Sequence, residues 1–582
     1  MHVARIRSSH VTRDGQRRDY ESVYLRQSYR DGGKVKHRQL ANLSALPQAA
    51  LTAIEAVLDG QQLVPAAGAV TVARSLPHGH VAAVSAQAGA LGLPELLGPP
   101  CRARDLAHAL VVSRVARPGS KLATRAWWGD TTLGVDLGVA GASTDEIYAA
   151  MDWLVRRQDS IEAELARRHL SAGPGSMALF DLSSSWMEGT CCPLAARGYS
   201  RDGKKGRPQI EYGLLTDPDG RPVAVRVFKG NTGDPTAFIE AADVVRNKFE
   251  LTELVMVGDR GMITAARIDA LKQDALNDLG GLGWLTSLRA PAIAKLAADD
   301  GPLQMSLFDQ VNFAEFAHPD YPGERLIACR NPLLAVERAR KRQALLAATE
   351  KDLAPVMRSV KSGRLKGADK IGQRAGKLIG KHKMAKHFEV TITDTSLTVT
   401  RKEDAIAAEA ALDGIYVIRT SVTTRQLDSA GVVFAYKNLA NVERDFRIIK
   451  ADDLDLRPIH HRLEDRVRAH VLICMLAAYL TWHLRKAWTE LTYTDSHPPT
   501  RTDPVAPTHR SRHADLKAGR RVNQDGLPLH TFNGLLDHLA TLTRNDLQFG
   551  PNGPVVPTLT QPTPIQRKAF QLLTAAIPQT IK

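Results

Sequence analysis

Hydrophobic and polar positions change rhythm several times along this chain, and each change predicts an element. Near the start, residues 20–25 and 35–40 read as strands on either side of the turn Arg30-Asp31-Gly32-Gly33, which predicts a basic, strand-rich module over the first ~45 residues. The rhythm becomes helical over residues 51–58 and 104–115, the second stretch placing Leu106, Leu110 and Val111 on one face. Ala116-Arg117-Pro118-Gly119-Ser120 breaks that helix ahead of another carrying Leu122, Trp127 and Trp128. Two helices about a short Gly turn read either as a helix-turn-helix or as a plain helical hairpin, and so loose a pattern favours the hairpin.

From Ser176 the pattern is different. Met177-Ala178-Leu179-Phe180 is a short apolar strand ending at Asp181, and residues 210–216 and 222–229 form a hairpin about Asp217-Pro218-Asp219-Gly220. A helix over 234–249 leads to the buried-type strand Leu254-Val255-Met256-Val257, which ends at Gly258-Asp259; a helix over 263–271 and the strand Trp284-Leu285-Thr286-Ser287 follow. Three antiparallel strands, then alternating helix and parallel strand, is the order of a ribonuclease H-like mixed-sheet core. Residues 290–425 interrupt that core as a β-rich insertion, with a helix opened by Asn331-Pro332 and strands about 388–400 and 415–419. Helices resume at 429–449 and 464–486, and past about residue 490 a polar, Pro- and Thr-rich tail holds one short helix near 532–542. The predicted division is 1–150 as an N-terminal DNA-binding region, 151–289 and 426–490 as the two parts of an α/β core, 290–425 as the insertion and 491–582 as a loosely ordered tail.

Composition narrows the function. The length of 582 residues calls for two to four domains, and 43% hydrophobic with 24% charged residues is ordinary for a soluble globular protein. A net charge of +15 and a pI near 9.6 favour a polyanionic partner, for a soluble chain usually nucleic acid. Only 5% aromatic residues argues against a single-strand binder built on base stacking. The longest apolar run, residues 471–480, falls short of the ~18 needed to span a bilayer, and the first residues lack the apolar segment of a secretory signal. The five cysteines show no metal-ligand spacing, so a reduced, cytoplasmic protein with no membrane partner is expected.

Carboxylates placed just beyond buried strands are the sharpest chemical feature. Asp181 and Asp259 both sit where a side chain meets the crevice at the carboxyl edge of a sheet. Two such groups on neighbouring strands could hold hard divalent cations, and a pair of these can serve both oxygens of a phosphoryl transfer. The competing reading, that each Asp caps the next turn, suits either residue taken alone. A third carboxylate, Glu443, shares a helical stripe with Tyr436 and Lys450, beside an apolar arc of Ala435, Leu439, Val442, Phe446 and Ile449. Glu443 could complete the metal site, with Tyr436 and Lys450 on phosphates; the alternative is an amphipathic helix with a surface pair such as Glu443 with Arg447. A basic loop of Lys204, Lys205 and Arg207 lacks the Walker spacing and so reads as a backbone contact beside Asp181.

Several of these motifs, in this order, resemble the bacterial insertion-sequence transposases of the DDE type that carry a Tyr–Arg–Glu–Lys signature. Tyr436, Glu443 and Lys450 match the signature, while Leu439 stands at its Arg position. Val257-Gly258-Asp259-Arg260-Gly261-Met262 is similar to the family's second-aspartate motif, and Asp413-Gly414-Ile415-Tyr416-Val417-Ile418-Arg419-Thr420 resembles the strand before its glutamate helix. The resemblance covers roughly residues 176–486. It implies two Mg²⁺ or Mn²⁺ ions on Asp181, Asp259 and Glu443, double-stranded DNA (terminal inverted repeats and target) as partner, and at least a homodimer when two ends are synapsed. It puts the DNA contact of the missing Arg in question, with Arg447 or Lys437 as substitutes. Two other readings stay open: a ribonuclease H-like nuclease that never joins strands, and a transposase-derived DNA-binding protein without catalysis. Lastly, residues 358–386 carry ten basic side chains, among them Lys377, Lys381 and Lys383, against the single acid Asp369, which reads as a DNA-tracking surface or as a glycine-rich solvated linker.

Overall fold

The alternating segments of residues 177–287 come together as the middle of an eight-stranded sheet. The structure, a computed structural model, describes residues 1–61, 70–170, 176–189, 191–251, 254–264, 266, 268, 269, 282–298, 301–308, 311–496, 498, 499, 503–506, 509–550 and 552–581. Two units emerge, one of Met1–Leu76 with Thr543–Thr560 and one of Pro77–Leu542 with Gln561–Lys582.

In the first unit β1 (His2–Val11), β2 (Arg17–Asp31) and β3 (Lys34–Asn42) form an antiparallel meander. The predicted turn is the two-residue loop between Asp31 and Lys34: Gly32 and Gly33 have φ of 58° and 78°, the left-handed pair that a tight hairpin turn demands and that glycine adopts without a Cβ clash. The strands are longer than the apolar pattern alone suggests, since the ladder hydrogen bonds continue over polar residues. Val23, Leu43 and Leu51 make a small core, closed by the helix Gln48–Leu58. A second small sheet joins β4 (Val70–Pro77) to the strands Thr543–Phe549 and Val555–Leu559.

In the second unit β5 (Met177–Trp186), β6 (Gln209–Thr216) and β7 (Pro222–Lys229) are antiparallel neighbours, and β8 (Val255–Val257) and β9 (Gly283–Ser287) continue from β5 in parallel. This is the mixed α/β class and strand sequence that the periodicity predicts; of the helix expected over 263–271, residues 266, 268 and 269 are helical, and residues 265, 267, 270 and 271 lie outside the described residues. The same sheet continues antiparallel through strands of the insertion. These are β10 (Phe313–Phe316) and β11 (Arg325–Arg330), and, after the hairpin β12 (Phe388–Ile392) and β13 (Leu397–Arg401), β14 (Ile415–Thr420), in the order β10-β11-β14-β9. The insertion is not β-rich as expected: helices Pro332–Lys361, Ala368–Lys381 and Glu403–Ala411 hold more of its residues than the strands do. Ala, Leu, Arg, Lys and Glu fill the 30-residue helix, whose first turn is capped by the Asn331 side chain accepting from the N–H groups of Leu333 and Leu334.

Helices 102–116, 144–156 and 464–487 pack on one another, and the last also packs on β7. The stretch Glu464–Leu491 is long and apolar enough to cross a membrane by length and composition, contrary to the count of consecutive apolar residues, but 83% of its apolar window is buried inside the protein. The end of the chain is folded rather than loose. Helices Phe532–Ala540 and Pro564–Leu572 bury Leu535, Leu539, Ala569 and Phe570, and Trp488 Nε1 donates to the Ala569 carbonyl at 3.1 Å. Their i, i+4 apolar pairs are too few to stand out beside the surrounding Pro and Thr, yet enough to dock on an existing core.

Candidate active site

Strand register sets the site. β5 pairs with β8 so that Leu179 faces Val257, and β8 pairs with β9 so that Val257 faces Leu285. Two residues further along each chain, Asp181, Asp259 and Ser287 therefore stand at one level across three neighbouring chains. β8 stops at Val257, which opens a crevice on that side of β5. Asp181 does not end its strand, as the sequence pattern predicts; β5 runs on to Trp186 because its other edge stays paired with β6, Asp181 opposite Leu214. The crevice, not the end of β5, is what gives the carboxylate its opening.

Each aspartate accepts the N–H of the next residue: Asp181 Oδ1 from Leu182 at 2.7 Å and Asp259 Oδ1 from Arg260 at 2.6 Å. That is a local cap of the kind the simpler reading predicts, and it occupies only one oxygen of each group. Across the crevice the predicted helix of 429–449 is two helices, Ser429–Lys437 and Leu439–Arg447, followed by a wide turn Ile448–Asp452. Val442, Phe446 and Ile449 are buried as the apolar arc predicts, and Glu443 is exposed beside them, with no ion pair to Arg447 or any other described residue. Burial pushes the Asp181 carboxyl up to about 7, the like charges of Asp259 and Glu443 adding to it against the Leu182 N–H and Arg201.

Asp181, Asp259 and Glu443 line two adjoining cavities. One, of about 430 Å³, is completed by Ser287, Tyr416, Tyr436, Leu439 and Arg338. The other, of about 770 Å³, holds Arg201, Glu211, Asp234, Arg447 and Lys450. Tyr436 shares a hydrogen bond of 2.7 Å with Ser287 and stacks near Tyr416 with ring centroids 6.4 Å apart. Lys450 is buried, and its Nζ donates to Asp202 Oδ1 at 2.9 Å, beside Arg457 on the same carboxylate. Its charge is thus already paired inside the protein. Lys437 is engaged with the carbonyls of Val505 and Ala506 at 2.7 and 3.1 Å, so of the two stand-ins for the missing Arg only Arg447 reaches the crevice with an exposed side chain.

Sequence reasoning missed Arg201, Glu211 and Asp234. Arg201 pairs with Asp234 at 2.6 Å and with Glu211 at 3.6 Å, and burial raises the Glu211 carboxyl to about 7. One signal was available: Glu211 is the one charged residue in the strand β6. Lys377, Lys381 and Lys383 are exposed and line neither cavity, with Lys381 bound to Asp352 at 2.8 Å. Lys377 and Lys381 belong to a folded helix, not a linker, and Lys383 follows its end: Ile371, Ala375 and Ile379 seat that helix against Leu353, Val356 and Val360 of the long helix.

Among the described residues, no three His, Cys, Asp or Glu side chains are clustered tightly enough to hold a metal ion as they stand. In donor type the crevice does suit a hard divalent cation: three carboxylates, all oxygen, with Asp181 held toward neutrality by burial, reinforced by the charges of Asp259 and Glu443. Residues 9–66, outside this site, match the family described as IS1634 family transposase, N-terminal domain. No curated protein matches the chain. The family match supports an insertion-sequence transposase.

Proposed function

We infer that this chain is an insertion-sequence transposase that nicks the ends of its element and joins them to target DNA. The observation that carries this reading is the placement of Asp181 and Asp259 at one level on neighbouring chains of the sheet, with Glu443 facing them from a helix. The order β7-β6-β5-β8-β9, three antiparallel strands and then two parallel to β5, supports a ribonuclease H-like core. A transposase-like N-terminal stretch and a net charge of +15 support double-stranded DNA as the partner.

Two Mg²⁺ or Mn²⁺ ions held by Asp181, Asp259 and Glu443 would supply activation of the attacking oxygen and neutralisation of the leaving one. The protein's own groups do the positioning. Arg260 and Arg447 place positive charge on either side of the carboxylates, suited to phosphates flanking the scissile one. In the first step a water oxygen bonds to phosphorus and the bond from phosphorus to the 3′-oxygen of the element breaks, leaving a 3′-hydroxyl. In the second, that hydroxyl attacks a target phosphodiester, displacing another 3′-oxygen. Synapsis of two ends calls for at least a dimer on DNA.

The test is an end-cleavage and joining assay with Mg²⁺ on wild type, Asp181→Asn, Asp259→Asn and Glu443→Gln. Each variant should lose cleavage by several orders of magnitude and still bind an end fragment within a few-fold of wild type. Cleavage without joined product in wild type would make the protein a nuclease, and substantial cleavage by any variant would remove that residue from the set.

A further inference from the structure

Away from the carboxylate crevice, the second unit has another cavity, of about 610 Å³, where helices 102–116, 121–128 and 464–487 meet residues 455–461. Its lining holds the basic groups Arg114, Lys121 and Arg457, the last engaged with Asp202, and the imidazoles of His460, His461 and His470, with Asp455 the one acid among the described residues. Arg114 and Lys121 are only 4% and 5% exposed. Neither meets a carboxylate at ion-pair distance among the described residues; Arg114 donates to the Leu454 carbonyl at 3.3 Å and Lys121 to His470 at 3.1 Å. His470 Nε2 lies 3.1 Å from the Leu456 carbonyl and so carries the proton, which leaves Nδ1 to accept from Lys121. Among the described residues Lys121 keeps further N–H donor capacity, and most of the Arg114 guanidinium makes no other hydrogen bond.

Buried cations are ordinarily paired, because removing an ammonium or guanidinium from water is costly unless an anion compensates. Lys450 follows that rule with Asp202, whereas the buried Lys517 is held by the Thr489 and Thr494 carbonyls. In this cavity burial, with Arg114 alongside, holds Lys121 well below its usual range, and burial also pushes His461 and His470 down, His461 to about 3. The wall also includes Gly119 to Leu122, the start of the helix Lys121–Trp128, where the dipole is positive; the Ser120 hydroxyl caps the Ala123 N–H, leaving those of Lys121 and Leu122 without an intrahelical partner. Leu122, Pro458 and His460 are exposed, so the cavity opens to solvent.

We propose that this cavity is a binding site for a phosphate-class oxyanion, with Lys121 and Arg114 as its charged contacts. Two buried basic side chains and a helix start suit a tetrahedral oxyanion, which can accept from all of them at once and would compensate their charge, better than a planar carboxylate. The anion can be a backbone phosphodiester of bound duplex or a free phosphate compound. The site shares no residue with the carboxylate crevice, and its test with free phosphate does not depend on the transposase reading.

Two measurements decide it. Thermal midpoints of wild type and Lys121→Met are compared in sodium pyrophosphate and in sodium chloride at matched ionic strength. Wild type should gain stability specifically in pyrophosphate and the variant should not. Second, affinity for a random duplex is followed against salt; if a phosphodiester occupies the cavity, Lys121→Met lowers the slope of log K against log salt by about 1. A pyrophosphate effect with an unchanged slope assigns the cavity to a free phosphate compound. No pyrophosphate-specific stabilisation of wild type together with an unchanged slope overturns the proposal. Since Lys121→Met could fold poorly, ³¹P line broadening of pyrophosphate by wild type separates the same outcomes without a variant: broadening abolished by added duplex assigns the cavity to a phosphodiester, broadening that persists assigns it to a free phosphate compound, and no broadening sinks the proposal.

Discussion

Asp445 sits two residues from Glu443 but on the buried side of its helix, 6% exposed, with Oδ2 unpartnered. Burial, with Asp217 nearby and only Arg444 opposing, raises its carboxyl from 3.8 to about 8. The unfolded chain ionises Asp445 near its ordinary value while the folded protein resists, so its contribution to stability is full below about pH 4, declines as pH rises and is lost once pH passes about 8. Asp445→Asn should therefore match wild type near pH 4 and exceed it by roughly 5 kcal/mol at pH 8, about 1.4 kcal/mol for each pH unit separating the folded and unfolded values, read from urea melts at both pH values. An equal difference at both would mean that the carboxyl is not the group that titrates. Lys450 is the opposite case. With its ammonium on Asp202, Lys450→Ala should destabilise the fold by about 1–3 kcal/mol, because it leaves a buried carboxylate with Arg457 alone. The slope of DNA affinity against salt should stay at the wild-type value. A slope lower by about 1 in this variant would return Lys450 to the phosphate contacts that the signature implies.

At the scale of elements, the insertion separates a packing face from a charged one. Ile371, Ala375 and Ile379 recur every four residues on the helix Ala368–Lys381 and bury against the long helix, while Lys377 and Lys381 lie on other faces and Lys383 just past its end. Changing Lys377, Lys381 and Lys383 to Glu should leave the circular dichroism melt within about 2 °C of wild type, since only exposed positions change. Binding of an end fragment in low salt should fall at least tenfold. Normal affinity and a normal footprint would make the basic face a solvated surface. Ile371→Ala, by contrast, should cost about 2–4 kcal/mol as a buried large-to-small change, with little direct effect on DNA affinity.

On the scale of the whole molecule, the second unit is completed by the end of the chain. Ala569 and Phe570 are buried, and the Trp488 indole depends on the Ala569 carbonyl. Deleting Gln561–Lys582 exposes the apolar surface those residues cover and leaves that indole N–H unsatisfied. The truncated protein should melt several degrees lower or express insoluble, measured by differential scanning fluorimetry beside the full chain. An unchanged midpoint would restore the loosely ordered tail predicted by its Pro- and Thr-rich composition.

Local order was legible in the residues alone. The tight turn at Gly32-Gly33, the strand and hairpin sequence from 177 to 287, and the buried arc of Val442, Phe446 and Ile449 each follow from near-neighbour physics: turn chemistry, side-chain alternation and helical periodicity. Asp181, Asp259 and Glu443 could be chosen for the same reason, since each marks the edge of a buried element. What only tertiary structure decided depends on partners distant in sequence. That β5 runs past Asp181 was settled by its pairing with β6, and that Lys450 is internally paired was settled by Asp202, 248 residues away. The insertion's strands joined the main sheet because β9 had a free edge to pair, and the tail folded because a core existed to receive Leu539 and Phe570. Likewise Arg114, Lys121 and His470, ordinary helix residues when read along the chain, became a buried cluster of basic residues only when three helices and the 455–461 segment closed around them.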